Sequence, residues 1–110
     1  MSRFSLIYAK DGQYQQLYCT SQNEAIGLLQ HISVGQIGIP IGVYDAKTEL
    51  FSWETNRQQQ YNRMSIEEQG RLGSQIIAVA QALRRQQEHG AALAGLHQAQ
   101  ANLANFINRI

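Results

Sequence analysis

Two strand-like runs of seven residues, Phe4–Lys10 and Gln13–Cys19, are separated by Asp11–Gly12 alone. That spacing leaves the chain little freedom. A two-residue hairpin turn of type I′ needs positive φ at both central positions, which Asp-Gly tolerates. It also fixes the register, setting Ala9 opposite Tyr14, Ile7 opposite Gln16, Leu6 opposite Leu17 and Phe4 opposite Cys19. One face of the hairpin then carries Phe4, Leu6, Tyr8, Leu17 and Cys19, and it is assigned to the core. The other carries Ser5, Ile7, Ala9, Tyr14, Gln16 and Tyr18. That second face is too apolar for a sheet covered on one side only. Either helices of the same chain shelter it, or another chain does.

Ser21 followed by Glu24 is a capping-box pattern. The helix it opens is expected to reach about Ser33, burying Ala25, Leu28, Leu29 and Ile32, with Gly35 as the stop. Ile39–Asp45 and Glu49–Glu54 read as a second strand pair. A three-residue loop, Ala46–Lys47–Thr48, would place Ile39, Ile41, Val43, Phe51 and Trp53 on one face. Pro40 lacks an amide donor, so its strand should begin there or lie at an edge. Thr55–Met64 is polar and reads as a loop of about ten residues, a length at which loops often carry function.

Ser65 and Glu68 form a second capping box. They open a helix expected to run to about Glu88, with Ile66, Gly73, Ile76, Ile77, Ala80 and Leu83 along one side. Arg84 and Arg85 fall in its last turns, where cations suit the helix dipole. His89–Gly90 is the natural break. Beyond it, Leu93, Leu96, Gln100, Leu103, Ile107 and Ile110 recur by threes and fours, a heptad-like stripe too short for a coiled coil. The fold expected is α+β: a ββαββ portion over 1–55, with an antiparallel or mixed four-stranded sheet, then a helical portion over 65–110. These form one domain over 1–110. The helical portion is either a hairpin turning at Gly90, the favoured arrangement, or one long helix. A glycine costs only about 1 kcal/mol in a helix interior.

Composition narrows the function classes. The 9 Lys and Arg against 8 Asp and Glu leave a formal charge of +1, which exerts no global pull on nucleic acid or anionic lipid. Charged residues make up 15% of the chain, low against the usual quarter or so, and glutamine takes their place. The one cysteine, Cys19, excludes an intrachain disulfide. No stretch has the length of a membrane span, no secretory signal precedes the first strand, and a cytoplasmic location is expected.

The chemistry-bearing residues do not cluster. His31, His89 and His97 lack zinc-ligand spacing. Glu24 and Glu68 are accounted for as caps, Asp11 and Asp45 as turn residues. Gly35, Gly38 and Gly42 follow a helix and enter a strand, the wrong order for a phosphate loop. No catalytic residue, cofactor or metal site is assigned, and the chain is read as not an enzyme. A reactive Cys19 is the weakest reading: the helix beginning after Ser21 is close enough to lower its pKa, but no particular histidine can be assigned as its partner.

The leading expectation is a non-enzymatic protein–protein interaction module, self-associating, whose surface combines Ile7, Tyr14 and Tyr18 with Leu96, Leu103 and Ile107. The alternative is a small-ligand or nucleic-acid-binding domain using Arg57, Tyr61 and Arg63. There the partner would be met by two cations and an aromatic on the loop after the second hairpin.

Overall fold

The computed structural model describes residues 2–89. The elements run β1 (Phe4–Lys10), β2 (Gln13–Cys19), α1 (Gln22–Gly35), β3 (Ile39–Asp45), β4 (Leu50–Trp53), α2 (Thr55–Asn62) and α3 (Ile66–His89). The four strands form one antiparallel sheet in the order β2-β1-β3-β4. Helix α1 lies against one face and α3 against the other. The fold is α+β. The expected second long C-terminal helix, and the turn at Gly90, lie outside the described residues.

The first hairpin has the register that its turn dictates, from Lys10 opposite Gln13 to Phe4 opposite Cys19. Asp11 and Gly12 both take positive φ, 53° and 78°. Both hairpin faces are covered. Leu6 and Cys19 pack with Ala25, Leu29, Ile32 and Val43 beneath α1. Ile7 and Tyr14 pack with Ile41, Tyr44, Leu72, Ile76, Val79, Ala80 and Leu83 beneath α3. The face first assigned to the core therefore holds only part of it, and its Leu17 remains 42% exposed.

The second hairpin differs from expectation. Asp45 pairs with Leu50, so four residues connect the strands. Asp45 organises that turn: its carbonyl accepts from the Glu49 amide and its carboxylate from the Lys47 amide. A bulge in β3 then resets the faces, because Ile7 pairs with Gly42 while Tyr8 pairs with Pro40, leaving Ile41 as the extra residue. Ile41 consequently joins the α3 core while Val43 joins the α1 core. Phe51 and Trp53 also pack on the α3 side. Pro40 sits at the mouth of a central strand beside the bulge, where its missing donor interrupts little of the ladder.

Three helix details are also corrected. The Ser21 half of the α1 capping box forms, Ser21 Oγ accepting from the Glu24 amide, while Glu24 accepts from the Thr20 amide and hydroxyl. Its stop, however, is Gln36 at φ 54°, not Gly35. The 55–64 segment is helical over Thr55–Asn62, because the Glu54 carboxylate accepts the amides of Asn56 and Arg57 as an N-cap. In α3 the Ser65 cap forms, yet Ile66 is 88% exposed, and the buried stripe runs through Leu72, Ile76, Val79, Ala80 and Leu83.

Candidate functional site

Of the residues singled out from the sequence, those described are largely drawn toward the protein interior. Ile7 and Tyr14 are withdrawn beneath α3, at 0% and 5% exposure. Burial pushes the Tyr14 hydroxyl well above the ordinary phenol range. Tyr18 is half-buried at the C-terminal end of β2, with the Arg84 guanidinium 5.0 Å from its ring centre and its hydroxyl 3.5 Å from Glu88. Leu96, Leu103 and Ile107 lie outside the described residues.

Helix formation over 55–62 sets Arg57 and Tyr61 four apart on one side and turns both toward the protein. Arg57 turns inward and is buried; its Nε lies 3.8 Å from the Glu54 carboxylate. Burial lowers its pKa, and Glu54 only partly offsets that. Tyr61 packs on Trp53 at 5.2 Å between ring centres and donates to the Gln69 carbonyl. Arg63 is exposed at the helix end. Of the two cations in this set, Arg63 is the exposed one.

Cys19 is buried and its thiol faces the Leu17 carbonyl at 3.7 Å. Burial and the Glu24 carboxylate push the thiol up, opposite to the depression that creates a nucleophile. Among the described residues no group of three or more His, Cys, Asp or Glu is placed to hold a metal ion. No helix among them is long and apolar enough to cross a membrane.

What the fold does present is two sheet edges of different character. β4 is short, four residues, and bracketed by Glu49 and Glu54. Beside it, a recess of about 310 Å³ lies between α1 and the sheet, with Ile26, Leu29, Val34, Val43 and Trp53 in its walls. β2 is seven residues long and pairs with β1 without interruption. Its sequence, Gln-Tyr-Gln-Gln-Leu-Tyr-Cys, holds no charge, proline or glycine. Proteins usually guard an edge strand with such residues, a bulge or a covering element. Among the described residues, α3 stands over one face of β2: Gln16 donates to Gln87, and Tyr18 reaches Glu88.

Sequence reasoning placed Tyr14 and Tyr18 on β2 but weighed side-chain faces, not the edge. The signal available was the uncharged run itself. That it ends the sheet depends on β3 inserting on the far side of β1, which no local pattern announces. Comparison with protein-family models, with characterised proteins and with solved structures returned no match.

Proposed function

We propose that this chain is a non-enzymatic protein–protein interaction module that associates with copies of itself. The observation that carries this reading is the terminal strand β2, long, regular and uncharged along its length. A strand that ends a sheet offers backbone donors and acceptors to a further strand, and pairing of that kind is a standard mode of recognition. The low net charge of +1 opposes association little. The apolar stripe through Leu96, Leu103 and Ile107 follows α3 directly in sequence, and the last turn of α3 stands over β2 at Gln16 and Tyr18.

Sedimentation equilibrium of the full chain over a concentration series tests the reading. A reversible, concentration-dependent rise in mass is expected. A strict monomer at the highest concentration attainable rejects it.

A further inference from the structure

The structure points to where and in what register two copies would meet, an inference that rests on the self-association reading. We infer that β2 pairs antiparallel with β2 of a second copy about a twofold axis through Gln16, making one eight-stranded sheet.

Charge decides between the two edges. A β4–β4 pair centred on Leu50–Trp53 would bring Glu49 of one copy toward Glu54 of the other at both ends. Like charges directly opposite are unfavourable. A β2–β2 pair meets no such cost, because no residue of Gln13–Cys19 is charged.

The hairpin turn sets the register. In a two-residue hairpin the residues flanking the turn, here Lys10 and Gln13, form a hydrogen-bonded pair, and bonding then alternates along the strand. Gln13, Gln15, Leu17 and Cys19 therefore use their backbone groups on β1. Tyr14, Gln16 and Tyr18 direct theirs to the outer edge. A twofold axis at Gln16 aligns these outward groups, with Gln16 opposite its own mate and Tyr14 opposite Tyr18 of the second copy. On the α3 face, Gln16 is already held by Gln87, so four amide side chains converge at the axis. On the α1 face, Leu17, 42% exposed in one copy, comes to lie beside Gln15 of the other.

The test uses the position that meets itself. Gln16→Lys and Gln16→Glu, in the full chain, should each weaken association on the order of tenfold or more, because each places like charges across the axis. An equimolar mixture of the two should restore it. Parent-like association of both single variants would overturn the inference, as would dissociation that mixing does not reverse. Thermal melts establish that each variant is folded. Hydrogen exchange on the unaltered protein gives an independent reading. The Tyr14 and Gln16 amides should gain protection with concentration while those of Leu50–Trp53 do not; the reverse pattern overturns the inference. A parent chain that associates yet fails these tests removes the β2 register alone, whereas a monomeric parent removes self-association as well.

Discussion

The two faces of the sheet are built from similar strand residues but are sealed to different extents. On the α3 face, Ile7, Ile76, Val79 and Ala80 are fully buried, and Tyr14, Tyr44 and Leu72 nearly so. On the α1 face, Leu6, Cys19 and Ala25 are fully buried, but Leu17 and Leu50 remain 42% and 66% exposed. The 24 residues of α3 reach about 36 Å, against about 21 Å for the 14 of α1. The larger buried cluster lies beneath the longer helix. A side chain's hydrophobicity thus did not decide whether it was sheltered; the length and placement of the helix above it did.

That contrast can be broken by truncating one buried side chain on each side. Ile76→Ala should lose about 4 kcal/mol of stability and Leu29→Ala about 2.5 kcal/mol, measured by urea unfolding. The α1 site, open toward the recess, has more room to collapse. Equal losses, or the reverse order, would mean that the two layers are enclosed alike.

Gly42 sharpens the comparison, since the α3 face needs a residue without a side chain there. An added Cβ would collide with the Ser52 carbonyl and the Phe51 ring. Gly42→Ala should therefore cost about 3 kcal/mol through forced repacking of β4. A neutral result in the same unfolding assay would show that β4 shifts freely.

Arg84 ties α3 to the sheet by polar contacts. Its guanidinium donates to Ser5 Oγ at 2.7 Å and to the Ser2 carbonyl at 2.8 Å, and Ser5 is fully buried. Arg84→Met should cost about 2 kcal/mol, because it leaves a buried hydroxyl without its partner. Adding Ser5→Ala should recover part of that loss. A double-mutant cycle with no coupling would refute the link.

The smallest effect concerns the exposed end of the sheet. Arg3 donates twice to the Asp45 carboxylate at 2.7 Å, and holds it well below the usual carboxylate range. A carboxyl depressed in the folded state contributes stability above its unfolded pKa of about 3.9, and that contribution fades as pH falls below it toward the folded value. Asp45→Asn should therefore lower stability at neutral pH by the same amount by which it flattens the acid limb, an amount kept small because Arg3 is exposed and screened. An unchanged acid limb would show that the pair contributes nothing.

Local chemistry made several elements legible. Asp11–Gly12 set the β1–β2 register, and Ser21 with Glu24 and Ser65 with Glu68 marked two helix starts. The errors arose where a distant contact mattered. The 55–64 stretch looked like a loop because its apolar periodicity is weak; Glu54 capping and Tyr61 packing on Trp53 made it a helix. Leu72 and Val79 fall off the stripe that starts at Ile66, which solvent retains. Of the candidate surface, the tyrosines on β2 were named, but their edge position was not.

The sequence by itself determined the β1–β2 register and the starts of α1 and α3, because that turn and those caps are satisfied within four residues along the chain. Only the tertiary structure decided that β3 joins β1 rather than β2, that a bulge sends Ile41 and Val43 to opposite cores, and that β2 is left at the rim. Those outcomes depend on groups tens of residues apart meeting in space, and neither periodicity nor capping records such meetings.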